Sequence, residues 1–240
     1  DQTQSLFQKI NIHSDVQIVL SISQRQQLLA LFLLTRVEPV ILAQLEQISQ
    51  VSRMTILKDL DEIEKWLQEE NIKLIRKPHF GIQVRGAEHD CQQALAGLLW
   101  GETSFSDDPV TKITHSDGLK FNLQGDSTLL PLVAYINNYL SGLHLRWTIS
   151  LVAKAEEQLG GRFTDDAVLH LALVFAILSN RIQSSRHLEV EDEMLDSIES
   201  SRMWPVAAYV ASRLGRESSS VWKPGDVAGI AMEMLAAPRN

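Results

Sequence analysis

Polar and basic side chains gather at the start of one predicted helix, in the stretch VSRMTILKDL. Ser52 is a favourable N-cap residue, and the backbone N–H groups of a helix N-terminus attract phosphate. Arg53 carries the forked donors that match guanine, and the methyl group of Thr55 can contact thymine. Met54 and Lys58 lie on the same first turn and a half of the helix. These residue types at this spacing predict a contact with DNA, whereas on an isolated helix Arg53 and Lys58 are more often ordinary solvated side chains.

A second basic group follows in the stretch IKLIRKPHFGIQVRG. Apolar and polar residues alternate in both halves of this stretch, and its centre contains Pro and Gly, so the pattern predicts a two-stranded hairpin. The hairpin carries Arg76, Lys77 and Arg85, with Lys73 beside them. We expect Arg76 and Lys77 to lie along the DNA backbone or in the minor groove and to supply the salt-dependent part of the affinity. His79 is a further candidate at the turn.

Three helices must hold this surface in place. The stretch SQRQQLLALFLLTR predicts a first helix that begins at Ser23 and ends before Pro39. The stretch VILAQLEQIS predicts a short second helix, and the third begins at Ser52 with its apolar side chains facing inward. The C-terminal half of the third helix, DLDEIEKWLQEE, is acidic and would be repelled by phosphate, so only its start is expected to approach the duplex. Three helices followed by a hairpin is the order of a winged helix-turn-helix.

The rest of the chain predicts a second, helical region. Residues 101–128 are rich in Gly, Ser, Asp, Thr and Pro with little periodicity, which is typical of a linker. Helical segments then follow at roughly 129–141, 148–159, 164–184, 190–200, 203–215 and 224–237. We therefore expect a mainly α protein that begins with an initial segment over 1–20 and a winged helix-turn-helix domain over 21–100, which a helix at 88–100 closes. A linker over 101–128 then leads to an all-α helical-bundle domain over 129–240. The apolar run LALVFAIL within that bundle is dense enough to be buried on two sides.

Charge is unevenly distributed along the chain. The net charge is −8, but residues 21–86 hold nine Lys and Arg against eight Asp and Glu, whereas residues 87–240 hold twelve against twenty. Only the first part is therefore suited to face phosphates. The single cysteine, Cys91, excludes an intramolecular disulfide and a cysteine-rich zinc site. This cysteine content favours a reducing compartment, so we expect a protein of the cytoplasm. No apolar run has the length of a membrane span.

The sequence lacks the common motifs of catalysis and metal binding. The sequence contains no phosphate-binding GxxxxGK(S/T), no GxGxxG after a strand, no HExxH and no GxSxG. The histidines are scattered without metal-ligand spacing, and the adjacent aspartates at 107–108 and 165–166 belong in caps or loops. We therefore expect a protein that is not an enzyme and that uses no metal or cofactor.

The stretch from Ser23 to Glu88 resembles the second winged helix of the multidomain bacterial operon activators of the BglG/LicR/MtlR group, which the sugar phosphotransferase system controls. Its cadence VSRxTIxxDLxxIxxxL, followed by a hairpin of the form xLxRKxxxGIxVxGxE, matches nearly throughout. The resemblance implies a DNA-binding transcriptional regulator of a carbohydrate-utilisation operon, with activation as the first expectation.

Residues 129–240 resemble, less closely, the phosphotransferase regulation domain (PRD) of the same proteins, through FTDDAVLHLALVFAILSNRI and the last two helices. In that family such domains carry histidines that take phosphate from phosphotransferase proteins. The resemblance thus implies three partners, namely phosphotransferase proteins, double-stranded operator DNA and a second copy in a homodimer. The family histidines fall at Val174 and Glu233, and neither position is histidine. Three interpretations stay open: Glu233 supplies the negative charge permanently, the module is a degenerate dimerising scaffold, or His170, one helical turn before Val174, is a displaced acceptor.

Two other functions also stay open. One is an RNA-binding antiterminator that shares the helical regulatory module, which the helices before residue 60 disfavour. The other is a protein-interaction module whose winged helix no longer contacts nucleic acid. Independently of these functions, we expect Arg181 and Arg186 to pair with the acidic residues 189–193 or with Glu233, as surface ion pairs of low energy.

Overall fold

Helices dominate the structure, a computed structural model that describes residues 20–100, 111–115, 118–122 and 131–240. These residues form ten α-helices and two antiparallel β-hairpins, which establish a mainly α protein. The predicted initial segment, apart from Leu20, lies outside the described residues. No helix in the four ranges is both long and apolar enough to cross a membrane.

The first four helices and the first hairpin follow the predicted order. They are α1 (Ile22–Thr35), α2 (Leu42–Ser49), α3 (Arg53–Glu69), β1 (Lys73–Lys77), β2 (Gly81–Arg85) and α4 (Glu88–Trp100). Ser21, rather than the predicted Ser23, caps α1: its side chain accepts a hydrogen bond from the Gln24 N–H, and the Gln24 side chain accepts one from the Ser21 N–H. This reciprocal capping box satisfies two backbone donors at once and therefore favours the earlier start.

The β1–β2 hairpin is held against the segment that precedes α2. Val40 and Ile82 exchange two backbone hydrogen bonds of 2.8 Å, so β2 is paired on the side away from β1. Gly81 has a φ of +109°, and a Cβ atom there would lie 2.9 Å from the carbonyl oxygen of Val40. Glycine therefore allows the hairpin to approach this segment closely.

A second hairpin lies inside the predicted linker. Strands β3 (Thr111–His115) and β4 (Gly118–Asn122) pair antiparallel, which differs from the irregular structure predicted there. Apolar and polar residues alternate around Ile113 and from Leu119 to Phe121. This is the period of a strand, but the Gly, Ser and Asp content of the segment obscures it. The rest of the predicted linker lies outside the described residues.

The six remaining helices agree with the predicted ones to within three residues at each end. They are α5 (Pro131–Ser141), α6 (Leu145–Leu159), α7 (Asp165–Gln183), α8 (Asp192–Glu199), α9 (Trp204–Ser218) and α10 (Pro224–Ala236). Gly160 ends α6 in the left-handed region, and the Thr164 side chain caps α7 by accepting from the Ala167 N–H. Glycine and threonine are typical of these two positions.

Helix α7 joins two hydrophobic cores. The first core contains inward side chains of α1 to α4 and of the β1–β2 hairpin, together with Tyr135 of α5 and with Leu173 and Val174 of α7. The second core contains side chains of α6, α9 and α10, together with Phe175 and Leu178 of α7. Helix α7 is therefore buried on two sides, which confirms the prediction from its apolar run. The two predicted domains thus meet in a continuous apolar contact.

Candidate nucleic-acid interface

The start of α3 is open to solvent. Ser52 caps the helix, with its Oγ accepting a hydrogen bond from the Thr55 N–H over 3.4 Å. Thr55 is half-buried, and the other predicted reading residues are exposed: Ser52, Arg53, Met54 and Lys58. The structure therefore brings the five predicted residues together on one accessible stretch of helix.

The other side of α3 is fixed to the core. Ile56, Leu60 and Ile63 are fully buried. Asp59 lies among them and accepts two hydrogen bonds from Arg25 of α1, from Nε at 2.5 Å and from Nη2 at 3.0 Å. Only 10% of the Arg25 side chain and 4% of the Asp59 side chain are exposed. Because water cannot compensate either charge there, the ion pair holds α3 on α1 in one position.

Sequence reasoning missed this ion pair, although one half of it left a signal. Asp59 follows Ile56 by three residues and precedes Ile63 by four, so it falls on the apolar side of α3. A carboxylate at such a position indicates a buried partner. The identity of that partner, 34 residues away at Arg25, cannot be read from the spacing.

Arg76 is bound to α3 instead of facing solvent, and this differs from its predicted role. Its Nη1 donates to Asp61 at 2.8 Å, and its Nη2 donates to Glu64 at 2.6 Å and to the Leu60 carbonyl oxygen at 2.7 Å. The terminal nitrogens of the guanidinium are thus engaged within the chain, whereas the prediction placed them on the DNA backbone. The acidic half of α3, which would repel phosphate, attracts this arginine and so attaches the hairpin to the helix.

The other predicted cations of the hairpin are exposed but lie at its opposite ends. Lys77 pairs with Gly81 at the turn, and Arg85 pairs with Lys73 at the base. The two ends are four residue steps of extended strand apart, which corresponds to roughly 13 Å. Lys77 and Arg85 therefore do not belong to one compact cluster.

An open cleft of about 410 Å³ lies between the start of α3 and the hairpin. Arg53 and Lys77 line it, so the structure brings these two predicted DNA-contacting cations to one place. His79, which lies at the turn of the hairpin with a φ of +63°, also lines the cleft. The remaining lining residues include four apolar side chains: Ile41, Leu42, Leu57 and Ile82.

The two positions that correspond to the family histidines have different surroundings. Val174 of α7 is 3% exposed and belongs to the first core. Glu233 of α10 is half-buried and accepts a hydrogen bond of 2.5 Å from Gln93 of α4. His170 is also half-buried, and its ring packs edge-on against Trp100 of α4 with the ring centroids 5.3 Å apart. Glu233 and His170 both line an open pocket of about 310 Å³ between α4, α7 and α10.

The pairing predicted for Arg181 is wrong. The sequence predicts a partner at residues 189–193 or at Glu233, but the guanidinium makes two hydrogen bonds to Glu88 of α4, one of them 2.8 Å from Nη2 to Oε2. Arg181 is 5% exposed. Burial acts to lower the pKa of Arg181, but the hydrogen bond and the charge of Glu88 outweigh it and raise that pKa above the ordinary value. Arg181 follows Ile177 by four residues, so it too is a charge on an apolar helix face.

Arg181 and Arg186 also bind the C-terminal end of α1, which corrects the pairing predicted for Arg186 as well. Arg181 Nη1 donates to the Leu34 carbonyl oxygen at 2.9 Å, and Arg186 donates to the carbonyl oxygens of Leu34 and Arg36. Carbonyl groups at a helix C-terminus carry partial negative charge, which attracts cations. Burial, followed by the charge of Arg181, lowers the pKa of Arg186. Polar contacts therefore tie α7 and the residues after it to α1 and α4.

No three histidine, cysteine, aspartate or glutamate side chains come together as a metal site in the part of the chain that the structure describes. In comparisons with known proteins, neither a protein-family model nor a curated protein matches the chain.

Proposed function

We propose that the protein is a DNA-binding transcriptional regulator. In this proposal residues 21–100 form a winged helix-turn-helix, in which α2 and α3 are the helix pair and the β1–β2 hairpin is the wing. The observation that carries the proposal is the start of α3, where Arg53, Met54 and Lys58 are exposed while the other side of the helix is buried. A helix presented in this way fits the major groove of DNA, and its first side chains meet base edges.

Each side chain on this surface has a proposed role. Arg53 donates two hydrogen bonds to guanine, and the methyl group of Thr55 contacts thymine. Ser52 and the helix N-terminus bind a phosphate, while Lys58 and Lys77 bind phosphates on either side of the helix start. Met54, which is 66% exposed, adds apolar contact within the groove.

Residues 129–240 are proposed to be a PRD-like regulatory domain through which two copies pair. Such pairing places two reading helices about one turn of DNA apart and multiplies a modest contact into a useful affinity. By its resemblance, the protein responds to the sugar phosphotransferase system in the cytoplasm and controls a carbohydrate-utilisation operon. Glu233 lies where α10 contacts α4, so its permanent charge is in a position to act on the DNA-binding part. Val174 is buried and offers no acceptor atom.

Binding to DNA selected from a pool of random duplexes tests the proposal. Fluorescence anisotropy on the selected duplex gives Kd as a function of salt. We expect Arg53→Ala to weaken binding by about 1–3 kcal/mol, because a bidentate contact to one base is lost. We expect Lys58→Ala to reduce the slope of log Kd against log salt by about one, because one phosphate contact is lost.

Lys65→Ala is the matched control, since it removes the same charge from the same helix. The Lys65 side chain is 67% exposed and pairs with Glu62, away from the helix start. Equal affinity of Arg53→Ala, Lys58→Ala, Lys65→Ala and the parent would contradict the assignment of α3 as the reading helix. A preference for RNA over duplex DNA would favour the antiterminator, and binding to neither would favour the protein-interaction module.

A further inference from the structure

The cleft between α3 and the β1–β2 hairpin has a floor that a DNA phosphate does not explain. The less exposed apolar side chains of the lining form this floor: Leu42, Leu57 and Ile82. Phosphate groups are bound by N–H groups and cations, and they gain nothing from carbon side chains. A volume of about 410 Å³ is that of a small-molecule pocket. The floor therefore fits a ligand that brings an apolar body.

Cations surround the same floor. Arg53 and Lys77 are exposed and line the cleft from α3 and from β1. Arg76 lines it as well, but its terminal nitrogens are already bound to Asp61 and Glu64. Arg53 and Lys77, which form the rim of the cleft, therefore fit an anionic group.

Ile41 connects the floor with solvent. It occupies the N-cap of α2, where its side chain makes no capping hydrogen bond, and it is 56% exposed. Serine, threonine, aspartate and asparagine are preferred at an N-cap, so isoleucine there is locally unfavourable. Contact with an apolar ligand would offset this cost.

We propose that the cleft binds a small anionic ligand with an apolar body, such as an aromatic or short aliphatic carboxylate or sulfonate. The apolar body contacts the floor, and the anionic group meets Arg53 and Lys77 at the rim. Because both cations are proposed DNA contacts, the ligand competes with DNA for them. The competition rests on the proposed function, whereas the binding of the ligand does not.

A titration of the full chain with anilinonaphthalene sulfonate tests the binding directly. This aromatic sulfonate fluoresces in apolar sites, and we expect it to saturate one site. The uncharged analogue without the sulfonate should bind about tenfold more weakly, as the loss of one charge-assisted hydrogen bond predicts. Shifts of the methyl NMR signals of Leu57 and Ile82 locate the bound probe in the cleft.

Ile41→Asp and Ile22→Asp form a matched pair of variants for the same titration. Ile41→Asp places a carboxylate at the mouth of the cleft and supplies a favourable N-cap, so the fold is retained. We expect it to weaken probe binding by about tenfold or more, since like charges repel. Ile22→Asp adds the same charge to a 64% exposed position in the first turn of α1, which does not line the cleft, and should leave probe binding unchanged.

The possible outcomes separate the cleft from the proposed function. Loss of probe binding in Ile41→Asp supports the proposed ligand site in the cleft even where the chain binds no DNA. Equal probe affinity of Ile41→Asp and the parent, or no saturable binding by the parent, overturns the proposed ligand site. Lys58→Ala, which lies outside the cleft, should weaken DNA binding alone. If the probe saturates the cleft without displacing the selected duplex, the proposed competition between ligand and DNA is wrong.

Discussion

At the scale of single residues, Arg25 and Asp59 determine how α3 is presented. Both charges lie in the core, where their mutual attraction roughly balances the cost of removing them from water. An apolar pair would serve stability equally well, so we assign to this ion pair the positioning of α3 on α1. The exposed side chains of Arg53 and Lys58 depend on that position.

Asp59→Ala should destabilise the fold strongly, because it leaves the Arg25 guanidinium buried without a counter-charge. We expect a loss of about 3–5 kcal/mol in the free energy of unfolding, measured by urea denaturation. The double variant Arg25→Met with Asp59→Leu should recover most of the loss, since it leaves no buried charge. Glu62→Ala, at a side chain that is 53% exposed, is the control and should change stability by no more than about 0.5 kcal/mol. A loss for Asp59→Ala as small as that of the control would show that the Arg25–Asp59 ion pair does not position α3 on α1.

At the scale of elements, the β1–β2 hairpin is attached on two sides. Its strand β2 is paired with Val40, and Arg76 of β1 reaches the acidic half of α3. A two-stranded hairpin is marginally stable in isolation, so these attachments keep it ordered beside the start of α3.

Arg76→Ala should loosen the hairpin. We expect faster hydrogen exchange of the β1 and β2 amides, measured by mass spectrometry, because the contacts to Asp61 and Glu64 are lost. Lys77→Ala removes the same charge from the neighbouring exposed position and should leave exchange unchanged. Identical exchange in the two variants would show that Arg76 does not hold the hairpin.

Local patterns predict the elements well and their partners poorly. The cap at Ser52 and the apolar spacing after it predict where α3 begins and which side it buries, because both depend on residues within one or two turns. The partners of Asp59 and Arg181 lie 34 and 93 residues away, and helical periodicity contains no information on such pairs. For the same reason the alternation that placed Arg76 on a strand could not show that α3 would bind its guanidinium.

At the scale of the whole molecule, α7 makes the two predicted domains interdependent. It contributes to both cores, and Arg181 adds a buried ion pair with Glu88 of α4. A contact of this kind transmits a displacement of α7 to helices α1 to α4, since packed interiors deform little.

Glu88→Ala should therefore weaken both parts of the chain together. It leaves Arg181 buried without a counter-charge, and we expect a loss of about 3–5 kcal/mol in the free energy of unfolding. Hydrogen exchange in increasing urea should show α3 and α9 losing protection at one common midpoint, which is lower in the variant than in the parent. Glu157→Ala, at a side chain that is 67% exposed, is the control. Two separate midpoints in the parent would show instead that the parts unfold independently.

The packing of α5 and α7 on the first core restricts how helices α1 to α4 can be reused. The ring of Phe32 packs on Tyr135 of α5, with the centroids 5.9 Å apart, and Trp100 packs on His170 of α7. A polypeptide that ends after α4 would leave Phe32 and Trp100 facing water, as an apolar patch of the kind that causes aggregation. A gene fusion that transfers α1 to α4 alone into another protein must therefore also replace these aromatic residues by polar ones.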